Sequence, residues 1–376
     1  MKKLNHIFPV IAGLLLLIGG CSENTAYKAL IVTGQGKHNW QLSSENYKTI
    51  LERTGLFSVK IKKSPAAGSD MGAFNPGFSG YNLVVVDFNG DDWSDRTRAS
   101  FVEFVKGGGG AIITQAAGSA FPNWKEFTIM CGYTSDDKNN SKPYEFEVRT
   151  VSQENPVVAG LPARWIHASD ILQSRLTGPS GNTEVLATAF SDTAVGGSGK
   201  AEPVLIAVKY GNGRIFHTTL GSASGEDAPA MKCSGFIATL QRGAEWAAAG
   251  KTTQDVPFDF PSASMAVTRT GFRVQTMEDD FAGLAGYRID KSTKFFTDIQ
   301  GRIRAAKGNS VELKKIETMM IGLLRDANAS VDGKKLILRE LSWMGSDNCV
   351  AAIKELTSNP DLKDDVAFAL ERLKAK

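Results

Sequence analysis

"ALIVTGQGKHNWQ", residues 29–41, is the stretch whose reading decides the fold. Ala29, Leu30, Ile31 and Val32 are apolar without interruption, and they run into a turn built on Gly34 and Gly36. A strand that is apolar at every position is buried on both faces, and such strands belong to parallel sheets covered by helices. Lys37, His38, Asn39 and Trp40 then stand at the carboxyl end of the strand, where open α/β sheets bind their ligands. The turn is thus a candidate corner of a site as well as a link to the next element.

The same pattern repeats outward from this stretch. "SSENYKTILERTG" (43–55) reads as a helix with Ser43 or Ser44 as its cap, Tyr47, Ile50 and Leu51 on its apolar face, and Gly55 as its stop. "FSVKIKKS" (57–64) alternates like a strand. "YNLVVVDFNG" (81–90) and "AIITQAAG" (111–118) are further continuous apolar strands, and "DRTRASFVEFVKGGGG" (95–110) is a helix between them. The fold class expected is α/β, a mainly parallel sheet flanked by helices. "YEFEVRT" (144–150), "VLATAF" (185–190) and "PVLIAVKYGNGRIFHTTL" (203–220) add strands, with a hairpin signal in "YGNGR", so the sheet gains antiparallel strands toward its end. The helix "SGFIATLQRGAEWAAAG" (234–250) closes a domain spanning 27–250.

Residues 251–300 contain Pro257 and Pro261 and little periodicity, and read as a linker crossing the surface. Residues 301–376 read as a small all-α segment. Leu338, Leu341 and Met344 mark one helical face, Val350, Ile353 and Leu356 the next, and Val366, Leu370 and Leu373 the last. These short helices resemble a HEAT-type repeat, in a number that fits a cap better than a long solenoid.

Residues 1–21 form a signal peptide. Lys2 and Lys3 precede an apolar run from Val10 to Ile18, too short to span a bilayer, and "IGGC" ends at Cys21. This ending resembles a bacterial lipobox, which makes Cys21 the expected lipid anchor. The acidic Glu23 beyond it resembles the surface-export signal of Bacteroidetes lipoproteins. The expected location is the cell envelope, lipid-anchored at the outer membrane on its periplasmic or surface face. Cys131, Cys233 and Cys349 remain, an odd count that excludes a disulfide scaffold, and no paired Cys/His spacing points to structural zinc. The net charge of +3 gives no reason to expect nucleic acid. With 376 residues and 42% hydrophobic content, the chain can form one large core and a smaller one.

Three strand ends, "TGQGKHNW", "DFNGDDW" and "TQAAGSAFPNW", would together line a cleft with amide, imidazole, carboxylate and indole groups. Sugars need such a mixture, because their C–H faces stack on aromatic rings while their hydroxyls take hydrogen bonds. Trp40, Trp93 and Trp124 are suitable platforms, although tryptophan also fills cores. "GQGKHN" stops short of a dinucleotide fingerprint because Asn39 stands where its third glycine belongs, and no P-loop is present. No Ser or Cys occupies a strand–turn–helix corner, so the nucleophile elbow of a hydrolase is missing. No cofactor is expected. His38 is either a site group or a donor that satisfies its own turn. His167 in "RWIHASD" can donate to Asp170, and His217 within a strand reads as a core imidazole. The spacing of these three histidines carries no metal signature, so no metal site is assigned.

Taken together, "ALIVTGQGKHNWQ", "YNLVVVDFNGDDW", "FVEFVKGGGGAIITQAAGSAFPNWKEF", "NPVVAGLPARWIHASDILQSRLTG" and "EPVLIAVKYGNGRIFHTTLG" resemble the trehalose-utilisation (ThuA-like) family, from about Ala29 to Trp246. The resemblance implies a flavodoxin-like sheet related to class I glutamine amidotransferases without their cysteine, and a link to disaccharide or keto-sugar catabolism. It points to His38, Asn39 and Trp40 in the first polar turn. Asp87, Asn89, Gly90 and Trp93 match the second, and Phe121, Pro122 and Trp124 the third. Trp165, His167 and Asp170 match a later segment, as do Tyr210, Gly211, Gly213, Arg214 and His217. Three positions depart: Gln115, Ile171 and Ser222 stand where the family commonly has histidine, glutamate and histidine. The family's groups bind metals or move protons, and those present here do neither well. Two functions follow as expectations. One is an envelope enzyme in which His38 and Asp87 or Asp170 do acid–base work, while Asn39, Trp40, Asn89, Trp93, Gln115, Trp124, Trp165, His167 and His217 hold a sugar. The other is a non-catalytic sugar-binding or scaffolding lipoprotein whose helical tail docks a partner protein.

Overall fold

Uninterrupted apolar runs become the centre of a nine-stranded mixed sheet. The computed structural model describes residues 27–375 apart from 136–140, 225–226, 274–275 and 292, so the signal peptide and Cys21 lie outside the described residues. The chain divides after Arg273 into two units. The first comprises β1 (Tyr27–Thr33), α1 (Trp40–Glu52), β2 (Phe57–Lys63), β3 (Leu83–Val86), α2 (Asp95–Lys106), β4 (Gly110–Ile113) and α3 (Lys125–Cys131). It continues with β5 (Tyr144–Thr150), β6 (Arg164–Asp170), β7 (Asn182–Phe190), β8 (Ala201–Tyr210), β9 (Gly213–Thr218), α4 (Pro229–Lys232) and α5 (Ser234–Ala249).

The strand order is β2-β1-β3-β4-β9-β8-β7-β5-β6. From β2 to β9 all neighbours are parallel, and from β9 to β6 all are antiparallel. The side chains of β1 show why continuous apolar character was needed. Ala29 and Ile31 enter a core shared with Tyr47, Ile50 and Leu51 of α1 and Ile237 and Leu240 of α5. Leu30 and Val32 enter a second core on the opposite face, with Phe101 and Val105 of α2. Each fully buried aliphatic side chain contributes roughly 1.5–3 kcal/mol relative to exposure, so an alternating polar residue would cost the sheet on one face.

The expected start of the first helix is revised. Helix α1 begins at Trp40, and its cap is Asn39, whose side chain accepts from Leu42 N. Ser43 is therefore inside the helix, and its hydroxyl is used elsewhere, on Asp87. The β8–β9 hairpin forms as expected, its turn made by Gly211, left-handed at φ 60°, and Asn212. The stretch expected as a linker crossing the surface runs along the first unit as far as Arg269. Up to Arg269 it is tied to the first unit: Arg242 donates to Gln254 O, Glu245 accepts from Thr253 N at 2.8 Å, and Arg269 N donates to Lys232 O at 2.8 Å. Further on it contains helices, Met277–Ala285 and Lys294–Ala305.

The second unit consists of α6 (Met277–Ala285), α7 (Lys294–Ala305), α8 (Ser310–Arg325), α9 (Val331–Met344), α10 (Asp347–Glu355) and α11 (Lys363–Lys374). Its core holds Leu284, Ile316, Met320, Ile337, Leu338, Leu341 and Ile353. In α10 the buried face is Cys349, Ala352 and Ile353, with Val350 turned to its side. Among the described residues no helix is long and apolar enough to cross a membrane.

Candidate functional site

Pairing sets the floor of the site. Asp87, Thr33 and Thr114 each stand one residue beyond the paired Val86, Val32 and Ile113, so three strands deliver a carboxylate flanked by two hydroxyls. Asp87 Oδ1 accepts from His38 Nε2 at 3.1 Å and from Thr114 Oγ1 at 3.3 Å. Its Oδ2 accepts from Ser43 Oγ at 2.6 Å and from Thr33 Oγ1 at 3.5 Å. A carboxylate can only accept, so His38 carries its proton on Nε2 and leaves Nδ1 as the basic nitrogen. The Asp87 side chain is 1% exposed and that of His38 15%. The pair is a buried orienting carboxylate under an imidazole that reaches the cleft.

Above it lies a cleft of about 450 Å³ lined from five strand ends. Lys37, His38 and Asn39 follow β1, Asn89 follows β3, and Gln115 and Ala116 follow β4; Ile171 and Gln173 follow β6, and Ser222, Ala223 and Ser224 follow β9. Carboxamides hold the walls together. Gln115 Nε2 donates to Ile171 O at 2.9 Å, Gln173 Nε2 donates to Gln115 O at 3.1 Å, and Asn89 Nδ2 donates to Ser119 Oγ at 2.9 Å. Gln35 ties the first turn to the second, accepting from Asp91 N at 2.8 Å and donating to Pro65 O at 2.9 Å.

Asp170 has a different environment. Its carboxylate accepts from His167 Nε2 at 2.8 Å, Gly221 N at 2.8 Å, Ile171 N at 2.7 Å and Ser222 N at 3.1 Å, and also from the Ser222 hydroxyl. It is fully buried, with its lone pairs spent on holding the turn that presents Ser222. Burial pushes the His167 imidazolium down, but the Cys233 and Asp170 charges around it outweigh that and hold it up at about 10. His167 is thus a hydrogen-bond partner of that carboxylate inside the core.

The expected sugar platforms lie elsewhere. Trp93 and Trp124 pack with Phe78, Phe88, Phe101, Phe121 and Phe127 beneath α2 and α3, with Trp93 and Phe121 centroids 5.1 Å apart. Trp165 is wholly buried against Phe260. Trp40 starts α1 with Lys63 Nζ 5.6 Å from its ring centre, and does not line the cleft. His217 is buried in β9: Nδ1 donates to Cys131 O at 2.8 Å, and burial lowers its pKa to about 4. Of the residues singled out in the sequence, His38, Asn39, Asn89 and Gln115 meet in the cleft with Asp87 directly below.

The sequence reading passed over Gln173, Ser224, Ser43, Thr33 and Thr114. The two threonines were legible as the polar residues that close apolar runs, once the strands are known to be neighbours. Ser43 was obscured by the misplaced helix start, and Gln173 follows an antiparallel strand whose register the pattern does not give.

The three departures, Gln115, Ile171 and Ser222, all line this one cleft. An amide, an aliphatic side chain and a hydroxyl already bonded to Asp170 do not fit a divalent metal. Among the described residues no group of three His, Cys, Asp or Glu side chains is placed to hold one.

The profile of the family described as trehalose utilisation, ThuA, matches residues 28–247. A ThuA-like protein of Parabacteroides merdae is 40% identical with a TM-score of 0.63, the match covering 66% of this chain and 99% of that one. A second ThuA-like protein, from Bacteroides uniformis, is 19% identical with a TM-score of 0.46, over 61% of this chain and 93% of that one. No curated protein matches the chain.

Proposed function

The chain belongs to the trehalose-utilisation (ThuA) family, and on that premise we propose that it serves sugar utilisation by binding a carbohydrate in the cleft at the carboxyl ends of the strands. The observation that carries this is the His38–Asp87 pair opening into a cleft walled by amides and hydroxyls. Asn39, Asn89, Gln115 and Gln173 combine donors and acceptors, which matches the paired hydroxyls of a disaccharide or its oxidised form. With Trp93, Trp124 and Trp165 in the core, recognition rests on hydrogen bonds to hydroxyls and not on ring stacking. His38 Nδ1, basic and backed by Asp87, is the group suited to take a proton from a bound hydroxyl.

The runner-up is a binding protein without turnover. It is favoured by Gln115, Ile171 and Ser222, which leave the cleft fewer groups that move protons. In both readings we place the chain in the cell envelope, anchored through acylated Cys21, because "IGGC" ends its apolar run. The helical unit would dock a partner protein; helices α8 to α11 contact in the pairs α8–α9, α10–α11, α8–α10 and α9–α11, which supports a HEAT-like stack.

The test is calorimetric titration of the protein with disaccharides and their 3-keto forms, with product analysis alongside. A disaccharide or keto-disaccharide binds the parent, and His38→Ala loses at least tenfold in affinity while its melting temperature stays within a few degrees. Equal binding by the variant, or its ready unfolding, would place the site elsewhere. Binding without any product selects the runner-up.

A further inference from the structure

The parallel half of the sheet has a second rim, opposite the cleft, where the strands begin and the β8–β9 hairpin turns. Tyr27 opens β1 there, with its N–H on Leu56 O at 3.0 Å. Lys28 follows, and with Ser58, Lys60, Gly80 and Tyr81 it lines a shallow depression of about 210 Å³. Along the same rim, Lys106 ends α2 with its Nζ 5.6 Å from the centre of the Tyr210 ring. Its carbonyl accepts from Asn212 N in the hairpin turn, which places Lys209 and Tyr210 beside it. Lys28, Lys60, Lys106 and Lys209 are exposed, while the tyrosines are half-buried. Glu52 and Glu103 on the helix ends, offset in part by Arg53, leave the rim net positive.

We propose that this basic, tyrosine-bearing rim lies on an anionic phospholipid surface, so that the cleft opens away from the membrane. Lysines are drawn to anionic head groups within a Debye length of the surface, and tyrosine suits the interface because its ring is apolar and its tip polar. The proposal rests on the lipid anchor at Cys21 for its geometry. Tyr27 follows Cys21 closely, and even a fully extended tether of that length reaches only about 20 Å. The rim where Tyr27 enters is therefore the one held near the bilayer, and the cleft lies at the other end of the strands.

The experiment uses the processed chain from Ser22 to Lys376, without acyl chains, and sedimentation with vesicles of phosphatidylglycerol mixed into phosphatidylcholine, or of phosphatidylcholine alone. The chain binds the anionic vesicles and not the neutral ones, and binding falls as salt shortens the Debye length toward about 3 Å. Reversing the four lysines together (K28E, K60E, K106E, K209E) lowers the bound fraction at least tenfold with ligand binding in the cleft intact. Reversing Lys314, Lys315, Lys354 and Lys363 on the helical unit leaves it unchanged. No vesicle binding, equal binding to both lipids, equal loss from the two sets of reversals, or binding to duplex DNA but not to vesicles overturns the proposal. Failure of the anchor itself is read separately, as an unmodified mass of the N-terminal peptide from the native protein.

Discussion

At Gly36 the backbone φ is 143°, and a Cβ there would lie 2.5 Å from His38 Nδ1. The glycine leaves room for the imidazole that Asp87 holds from the other side. Gly36→Ala should displace the ring and weaken sugar binding at least tenfold, with a backbone cost of roughly 1–3 kcal/mol. Calorimetry and a melting curve on the same sample separate the two effects; unchanged affinity would show that ring orientation is irrelevant to the site. A second histidine makes a prediction about pH. Burial favours the neutral form of His217, so its folded pKa of about 4 lies below the ordinary value of 6.5. As pH falls through 6.5 the unfolded chain takes up this proton first, and stability declines until about pH 4 and then levels off. The loss amounts to about 3 kcal/mol at most. Denaturant titrations at several pH values should show this component in the parent and lack it in His217→Leu. The same slope in both would assign it to other groups.

Helix α5 is buried along most of its length, and its one inward guanidinium does the work of several backbone donors. Arg242 reaches Val157 O, Pro156 O and Ala159 O at 2.8 Å each, as well as Gln254 O, joining α5 to the loop before β6 and to the segment after the domain's last helix. Arg242→Met leaves these carbonyls without donors, at a cost of about 3 kcal/mol and hence a fall of roughly 6–12 °C in melting temperature. A smaller fall than about 2 °C would mean that water replaces the guanidinium. Elements of this kind mark the boundary of what the sequence makes legible. The runs at Ala29–Val32, Leu83–Val86 and Ala111–Ile113 declare two-sided burial, and the parallel sheet and its polar carboxyl ends follow. Loop aromatics carry no such period. Trp93 and Trp124 follow strand ends just as His38 does, yet they turn under α2 and α3, because a core without enough side chains from short helices draws large rings from the loops. Arg242, a charged residue on an apolar helix, has partners only in three dimensions.

At the scale of the molecule, hydrophobic cores divide as the chain does. The two cores on either side of the sheet are built from residues up to Phe272, and the helical core begins at Met277. Among the described residues, those lining the cleft and the partners of Asp87 lie before Arg273. The segment from Gly250 to Phe272 belongs with the sheet, since Arg242, Glu245 and Ser234 bind it and Phe272 enters the core beside α1. A cut at residue 250, where periodicity alone puts the boundary, would strip that segment away and expose the edge of β6, whose Ile166 N donates to Ser262 O at 2.9 Å. A cut after Arg273 falls where the chain divides into its two compact units. The fragment ending at Arg273 should therefore fold cooperatively and bind the same sugar within about twofold of the full chain, whereas the fragment ending at Gly250 should be destabilised or insoluble. Thermal unfolding and calorimetric titration of both fragments decide it. If the longer fragment loses its affinity, the helical unit takes part in binding, and the cleft residues named here do not suffice.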